Sequence, residues 1–462
     1  MASKLSSLSR RRVIKTAGAV AVGGGAAALL GGGRLAAQGG APAIATNAQG
    51  GRKYKAFVKS GPSLPEVVEL AARPLTGNKC VVRMEAAQTC YTSVDQVLIN
   101  GTPTNGPSLV GHGGVGIVEA VGPQAMSVRV GDRVILNLHA ACGKCHNCLR
   151  MRSDKCNGPT DFPNEPFATM SDGRPVAGSR TGAMAEIAIT YEDYLTPLFT
   201  DVSSAEISML TCVGGAGLGM AMTNIPVEAG SDVVVFGGGP VGLSAVMGAK
   251  VKGASRIICV EPIQYRRDLA LKLGATDVVD PNQYKERTAV AQAGFGGPGT
   301  DLFRDALVER LREMTKPRTD RRYAGGGRIG PDHILEAVGG DRIKPKSHPQ
   351  GPDPTGVTVL QQCWELGSAI GSIVTCSVGQ PADAVVRIPA AQWADGAKHH
   401  WPGTGGGTND RRDSNRYCRM METGQINMKA LATRTFPLNR TREAYQVCAD
   451  REVPATIVAP NT

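Results

Sequence analysis

Short apolar runs separated by glycines and prolines characterise residues 54–136. Runs of this length, rich in β-branched residues and bounded by turn residues, predict β-strands. Five strands are expected here: Lys55–Val58, Val67–Leu70, Cys80–Ala86, Val115–Val121 and Asp132–Leu136. This part of the chain is therefore predicted to form a small β-rich domain.

Residues 232–261 follow a different pattern, in which a strand, a glycine-rich turn, a helix and a second strand succeed one another. Val233–Phe236 is an apolar run, and Gly237-Gly238-Gly239-Pro240-Val241-Gly242 follows it. A helical pattern then leads to the second run, Arg256–Val260, which ends at Glu261. This order is typical of a Rossmann dinucleotide-binding unit, and the alternative is a strand-turn-helix that has only a structural role.

Each position of this turn has a steric reason of its own. Gly237 allows the tight turn, Gly239 removes a Cβ that would collide with a pyrophosphate, and Gly242 lets the helix pack closely on the strand. Val241 belongs to the same cofactor-binding turn. Glu261 is placed to accept a hydrogen bond from a ribose 2′-hydroxyl and would repel a 2′-phosphate. The sequence therefore predicts NAD rather than NADP.

Later segments continue the alternation of strands and helices. The expected strands are Asp277–Val279, Ile334–Val338, Ile370–Cys376 and Thr456–Val458, and the expected helices are Asp301–Met314, Val357–Leu366, Met420–Leu431 and Arg442–Ala449. Two irregular stretches, Lys316–Gly330 and Asp341–Gly356, are longer than the connections of such a fold need. They are interpreted either as loops that close over the adenine end of a cofactor or as mobile basic loops. His399 and His400 are adjacent on a predicted extended chain and would face opposite sides, which argues against a metal site.

Four cysteines form the most specific motif of the chain. Cys142, Cys145, Cys148 and Cys156 have the spacing C-x2-C-x2-C-x7-C in a loop rich in Gly, Lys and Asn. Four thiolates on one short lobe suit a tetrahedral zinc ion with no open position, which is a structural site. An iron-sulfur cluster or a pair of disulfides are the alternatives. The twelve cysteines of the chain show no regular even framework outside this lobe, which argues against a disulfide scaffold.

Residues 1–45 have the pattern of a targeting segment. The motif Ser9-Arg10-Arg11-Arg12 precedes a weakly apolar stretch that reaches Gly33, and small residues at 41–45 offer cleavage sites. This order resembles a twin-arginine (Tat) export signal, with a disordered basic tail as the alternative. We therefore expect the Tat machinery as a partner and a periplasmic or extracellular location. The stretch is too short and too rich in glycine for a stable membrane span.

The charge balance changes once this segment is set aside. The chain has 462 residues and a formal net charge of +11, and the first fifty residues carry six basic residues and no acid. Much of the basic excess therefore belongs to the leader. Because no basic stripe with interleaved aromatic residues remains, nucleic acid is not an expected partner. The length suits two domains.

Several short motifs occur in an order that resembles one enzyme family. They are Cys90-Tyr91-Thr92, Gly111-His112, the four-cysteine lobe, Leu210-Thr211-Cys212, Gly237–Gly242, Phe436-Pro437-Leu438 and Glu443-Ala444. From about Tyr54 to Ala459 the chain resembles a zinc-dependent medium-chain alcohol dehydrogenase. The resemblance implies an α/β fold with a chaperonin-10-like β-rich catalytic domain at 52–212, an NAD-binding Rossmann domain at 213–398 and a completing segment at 399–460. It also implies a homo-oligomer, dimer or tetramer, and an alcohol or aldehyde as substrate.

The resemblance also assigns residues to the reaction centre. Cys90, His112 and Cys212 would hold a catalytic zinc, which would act as a Lewis acid on an alcohol. Thr92 would be the first proton acceptor, and Asp95 is placed to carry the proton onward. Arg266 is expected to lie over adenine or ribose, or to be a solvated helix charge.

Five positions depart from the family pattern. The acid that usually follows the relay residue and orients the histidine ligand is replaced by Ser93, the acid that usually follows the histidine by Gly113, and a relay histidine by Asp95. A basic residue often found beside the first cysteine is replaced by Tyr91, and the late arginine that often meets the pyrophosphate is replaced by Ala455. The expected activity is hydride transfer between an alcohol and NAD, with NAD tightly held because an exported enzyme meets little free cofactor. The alternatives are an aldehyde dismutase or formaldehyde-type dehydrogenase that cycles one bound NAD, and a non-catalytic zinc-binding or dinucleotide-binding protein.

Overall fold

A computed structural model describes residues 50–158, 165–176, 181–290, 301–315, 330–368, 370–395, 398–403 and 405–462. The predicted leader at 1–45 and nearly all of the first insertion, Lys316–Gly330, lie outside the described residues. The second insertion, Asp341–Gly356, is described throughout.

Two β-sheets form the catalytic domain. The first has the order β4-β1-β2-β7-β8, formed by β1 Lys53–Lys59, β2 Glu66–Ala72, β4 Ser108–Leu109, β7 Ala168–Met170 and β8 Pro175–Val176. The second has the order β10-β6-β5-β3-β20-β19, with β9 also paired to β3; its strands are β3 Lys79–Gln88, β5 Gly114–Val121, β6 Arg133–Leu136, β9 Ile187–Tyr191, β10 Leu195–Pro197, β19 Ala432–Pro437 and β20 Ala455–Ala459. The five strands predicted before residue 137 are confirmed. The pairing of β20 with β3 shows that the C-terminal segment completes this domain.

The second domain contains a parallel sheet with the order β13-β12-β11-β16-β17-β18. Its strands are β11 Asp232–Phe236, β12 Arg256–Val260, β13 Asp277–Val279, β16 His333–Glu336, β17 Ser372–Thr375 and β18 His399–Pro402. Numbered within the sheet, this is the 3-2-1-4-5-6 order of the Rossmann fold. The central strands β11, β12 and β16 are almost entirely buried, as expected where helices cover both faces of a sheet. Because β18 pairs with β17, the sheet continues past the boundary predicted at residue 398.

The described α-helices are α1 Val94–Leu98, α2 His146–Leu149, α3 Ser204–Ser208, α4 Val213–Gly219, α5 Pro240–Val251, α6 Gln264–Leu273, α7 Ala306–Met314, α8 Val357–Leu366, α9 Ala390–Asp395, α10 Asp410–Glu422 and α11 Thr441–Ala449. No single described helix is long and apolar enough to cross a membrane. One bent pair, Ser204–Thr211 with Val213–Asn224, meets the length and composition of a span, and most of its residues are buried within the protein.

Two of the predicted helices were placed wrongly. The helix expected from Asp301 begins at Ala306, because the Asp305 carboxylate caps it by accepting from the amides of Leu307 and Val308. The residues before it form β15 Phe303–Asp305, which pairs with β14 Arg287–Ala289. The helix expected at Met420–Leu431 instead spans Asp410–Glu422 and is capped by the Asn409 side chain. The apolar residues Ile426, Met428 and Leu431 are buried beyond its end, so tertiary packing rather than helical periodicity explains their spacing.

Candidate active site

Cys90, His112 and Cys212 come together from three separate loops. Cys90 follows β3 and opens a 3-10 turn at Tyr91–Ser93, His112 precedes β5, and Cys212 lies between a 3-10 turn and α4. One ligand atom from each residue lies within 4.8 Å of the other two. The His112 Nε2 atom is buried without a hydrogen-bond partner among the described residues. A buried nitrogen is costly unless it is paired, so the cluster fits a metal ion that the nitrogen would bind.

The electrostatics of the two sulfurs support the same conclusion. The hydrogen bond between them holds the pKa of the Cys90 thiol well below its ordinary value and raises the pKa of Cys212 well above it. Burial alone would lower the pKa of His112, but the negative charge on Cys90 and the hydrogen bond to it together outweigh burial, and the pKa is raised. Two buried thiolates this close repel each other. A divalent cation removes this conflict, and two thiolates with one imidazole are a donor set that zinc prefers.

Thr92 lies beside this cluster. Its Oγ1 atom is 3.0 Å from the Cys90 sulfur, and both residues line the cleft between the two domains. The hydroxyl is therefore next to the predicted metal position, where the resemblance places it. Asp95 has other partners: its carboxylate accepts from Arg342 Nη1 at 2.5 Å and from the Gln96 amide at 2.9 Å. No hydrogen bond joins it to Thr92 among the described residues, so this arrangement does not support a proton route through Asp95.

The four-cysteine lobe has the geometry of a closed metal site. The Cys142 and Cys148 sulfurs are 4.0 Å apart, and those of Cys145 and Cys156 are 3.9 Å apart. Four sulfurs at ~2.3 Å from a tetrahedral zinc would be separated by ~3.8 Å, whereas a disulfide needs ~2.05 Å. Burial alone would raise the pKa of Cys145, but the backbone amides of Cys148 and Asn157 lower it to about 6. The lobe is therefore arranged for metal-bound thiolates rather than for disulfides.

The glycine turn shows why its sequence is so restricted. Gly237 has a positive φ of 94°, and a Cβ on Gly242 would lie 1.7 Å from the Gly237 carbonyl oxygen. Glu261 faces this turn and is only 3% exposed. Its Oε2 accepts from the Gly238 amide at 2.6 Å, and its Oε1 accepts from the Ile263 amide at 2.9 Å. The carboxylate therefore supports the turn and lines the cleft.

One cleft of about 220 Å³ joins the two halves of the predicted site. Cys90 and Thr92 line one end; the glycine turn, Glu261 and Arg266 line the other. Arg266 is only 9% exposed, so it is not a solvated helix charge. The cleft also contains three residues that sequence reasoning did not place there: Tyr91, Arg342 and Arg451. The only signal for Arg342 was its position in a long insertion, and the φ of 58° at Arg451 becomes visible only in the structure.

A Rossmann sheet and a β-rich domain share one cleft, which is lined by Cys90 of a Cys-His-Cys cluster. These features define a metal-assisted oxidoreductase of the dinucleotide-linked class. Residues 76–200 match the family described as alcohol dehydrogenase GroES-like domain, and residues 240–345 match zinc-binding dehydrogenase. The chain belongs to the zinc-dependent medium-chain alcohol dehydrogenase family.

Individual relatives agree with this assignment. A probable alcohol dehydrogenase from Pseudomonas sp. is 36% identical over 317 residues, which are 65% of this chain and 83% of that protein. A geraniol dehydrogenase from Castellaniella defragrans is 33% identical over 239 residues, which are 48% of this chain and 62% of that protein. The solved structure of an alcohol dehydrogenase zinc-binding domain protein from Burkholderia ambifaria superposes with a TM-score of 0.70 at 23% identity, covering 89% of this chain and 100% of that one. This structural likeness establishes the fold alone.

Proposed function

We propose that this protein interconverts a small-molecule alcohol with its aldehyde or ketone, using NAD held in the cleft between the two domains. The observation that carries the proposal is that Cys90, a member of the Cys-His-Cys cluster, and the glycine turn line the same cleft. Hydride transfer requires that the reacting carbon and the nicotinamide be brought together, and one continuous cleft does this.

The residues divide the work of the reaction. Zinc bound by Cys90, His112 and Cys212 would supply a Lewis acid that lowers the pKa of the alcohol hydroxyl. The Thr92 hydroxyl, held beside the Cys90 sulfur, is placed to accept a hydrogen bond from the alcohol and to relay its proton to water in the cleft by donating its own. Val213 and Cys376 line the same cleft with apolar surface, which limits the access of water to the reacting atoms. The four-cysteine lobe would hold a second, structural zinc, which gives two ions per chain.

Glu261 supports the choice of NAD over NADP. Its carboxylate is fixed by two backbone amides and lines the cleft, so a 2′-phosphate brought near it would meet an anion that cannot move away. A comparison of the affinities of the unaltered protein for NAD and NADP tests this choice, and tighter binding of NADP would contradict it.

We further propose that the bound NAD is retained between turnovers. The second insertion, Asp341–Gly356, is called the strap from here on. Its residues Gly351, Pro352 and Asp353 line the cleft on the side of Glu261. On the Rossmann side, the His348 ring lies 5.4 Å from the Tyr265 ring. The strap therefore passes over the end of the cleft where the adenosine would lie.

The strap is also tied to the catalytic domain. The Tyr91 hydroxyl donates to the Ile343 carbonyl at 3.1 Å and accepts from the Arg342 amide at 3.1 Å. The Arg342 guanidinium pairs with Asp95. Because Tyr91 belongs to the same turn as Cys90 and Thr92, the strap joins the cofactor end of the cleft to the loop that carries the predicted metal ligand. Opening the cleft would break these bonds, which is expected to slow the release of a dinucleotide.

Removing the strap contact of Asp95 should speed that release. In Arg342→Ala the strap loses its ion pair with Asp95. If that partly buried pair contributes ~1.4 kcal/mol to keeping the cleft closed, we expect bound NAD to dissociate about 10-fold faster or more. Mature protein is purified without added cofactor and then dialysed. Samples taken at intervals are denatured, and the NAD that they release is measured. Arg419→Ala removes an exposed ion pair on α10 and serves as the matched control.

If the unaltered protein is purified free of NAD and turns over with exchangeable cofactor, the retention proposal is wrong, although the dehydrogenase assignment stands. If retention is observed, the reduced cofactor must be reoxidised in place by a second substrate. An aldehyde that is reduced while another is oxidised fits that need, and dismutase activity on aldehydes without added NAD would then be expected.

We also propose export by the twin-arginine route, supported by the motif at Arg10 and Arg11 and by the need to load metal and NAD before export. Changing both residues to lysine should leave the protein in the cytoplasm, whereas Arg34→Lys, elsewhere in the leader, should not. Cell fractionation measures this, and equal export of the two variants would refute the proposal.

A homo-oligomer is the last part of the proposal. Among the described strands, β18 lies at the edge of the parallel sheet, and its four residues are all exposed. An exposed edge strand offers unpaired backbone groups, and a second copy of this chain is the partner that would cover it symmetrically. Sedimentation of the mature protein as a monomer would contradict this.

A further inference from the structure

Arg266 differs from the other arginines that line the cleft. Three arginines do so: Arg266, Arg342 and Arg451. Arg342 is paired with Asp95, and Arg451 with Asp341. Each of these two guanidinium groups therefore has a carboxylate within hydrogen-bonding distance that balances its charge. Arg266 has no such carboxylate partner among the described residues.

The placement of Arg266 is unusual for an unpaired cation. It is more than nine-tenths buried, with 9% of its surface exposed. Its Nε donates to the Tyr265 hydroxyl at 3.1 Å, and that hydroxyl donates to the Arg451 carbonyl oxygen at 2.7 Å. These bonds fix the plane of the guanidinium. The two terminal nitrogens have no hydrogen-bond partner among the described residues, so they are available to donate to a ligand in the cleft.

One terminal nitrogen of Arg266 lies near the glycine turn. The Nη1 atom lies 3.9 Å from the position that a Cβ on Gly239 would occupy. Gly239 caps α5, a helix of 12 residues, and the first amides of a helix have no partner within it. The positive end of the helix dipole and an unpaired guanidinium therefore face the same small volume. A phosphate group would satisfy both.

The Glu261 carboxylate is already engaged by the backbone. Both of its carboxylate oxygens already accept backbone amides, from Gly238 and Ile263. Burial alone would lower the pKa of Arg266, but the charge of Glu261 and the contact with the Tyr265 hydroxyl together raise it. Glu261 thus acts on the guanidinium through its charge and leaves the terminal donors available.

We propose that Arg266 binds the pyrophosphate of the dinucleotide, rather than its adenine or ribose. This rests on the proposed function, since it presumes a dinucleotide in the cleft. The interaction would supply the charge-assisted hydrogen bonds that the terminal nitrogens lack, and it would anchor the centre of the cofactor to α6 as well as to the N-terminus of α5.

The test compares ligands that do and do not carry phosphate. Mature protein freed of nucleotide with charcoal is titrated calorimetrically with adenosine and with ADP. Arg266→Met keeps the apolar stem and removes the charge, so ADP should bind about 10- to 100-fold more weakly while adenosine changes less than about 2-fold. Added salt should weaken ADP binding less in this variant than in the unaltered protein.

Arg267→Met is the matched control. Arg267 is the neighbouring residue, equally buried, and its guanidinium is used by the Glu261 carbonyl oxygen and the Gln264 side chain. Its loss should leave the ratio of ADP to adenosine affinities unchanged. Arg266→Lys keeps a charge without the planar fork and should lose about 3- to 10-fold in ADP affinity, which provides the test if Arg266→Met does not fold.

The outcomes are distinct. Equal weakening of adenosine and ADP would place Arg266 at the adenosine and overturn the proposal, as would unchanged affinity for both. If the unaltered protein binds neither ADP nor NAD, the dinucleotide function itself fails. If the unaltered protein binds NAD and the Arg266 variants bind ADP as it does, only the assignment of Arg266 fails.

Discussion

Replacing His112 with alanine should reduce alcohol oxidation at least about 1000-fold while the protein remains folded. The imidazole is one of three donors from separate loops, and without it the cluster is not expected to hold zinc in the geometry that polarises the alcohol. Lewis-acid stabilisation of several kcal/mol corresponds to roughly that loss of rate. The measurement is kcat together with the zinc content, which should fall from two ions per chain to one.

The melting temperature separates this result from general damage. His112 lies in the loop before β5 and is not part of any sheet, so we expect only a small change in Tm. Thr92→Val, which removes the hydroxyl beside Cys90 and leaves the three donors in place, is the comparison: it should keep two zinc ions and still lose activity by about 100-fold or more. Unchanged turnover in His112→Ala would refute the assigned reaction centre.

Changing Cys148 to serine should have the opposite effect: it should reduce the stability of the protein more than its catalytic activity. A structural zinc contributes folding free energy directly, ~10–16 kcal/mol in small zinc-binding peptides. Here the lobe is part of a larger domain, so we expect a loss on the order of 5 kcal/mol in the free energy of unfolding. Denaturant unfolding and zinc content measure it, and one ion should remain.

Cys418→Ala is the control for this variant. Cys418 is a buried cysteine on α10 outside both sulfur clusters, and its replacement should cost about 1 kcal/mol and no zinc. If Cys148→Ser retained two zinc ions and normal stability, the lobe would not be a structural metal site. If His112→Ala and Cys148→Ser unfolded alike, the division between a catalytic and a structural ion would be lost.

The prediction succeeded where a local rule restricts the residues. The glycine turn was recognisable because Gly237 needs a positive φ and Gly242 allows no Cβ, whatever the rest of the chain does. The four cysteines of the lobe are close in sequence, so their spacing already defines the cluster. The strands before residue 137 were found because apolar runs bounded by turns carry a local signal.

The failures came from segments whose pattern reflects distant contacts. Ile426, Met428 and Leu431 have an apolar spacing that predicted a helix, yet their burial comes from packing against the core after α10 has ended. Phe303–Asp305 forms a strand because Arg287–Ala289 pairs with it. The helix propensity of these residues gives no indication of that partner, since the partner lies elsewhere in the chain.

The sequence by itself determined the family, the two domain types, the four-cysteine lobe and the candidates Cys90, His112 and Cys212, since each depends on residue identity and order. Only the tertiary structure decided the partners of charged side chains, because a charge pairs with whatever the fold brings within a few ångströms. Asp95 could not be known to face Arg342 of the strap, 247 positions away. Nor could the sequence show that Arg266 is buried with its Nη1 atom near Gly239, since that distance arises from the packing of α6 beside the glycine turn.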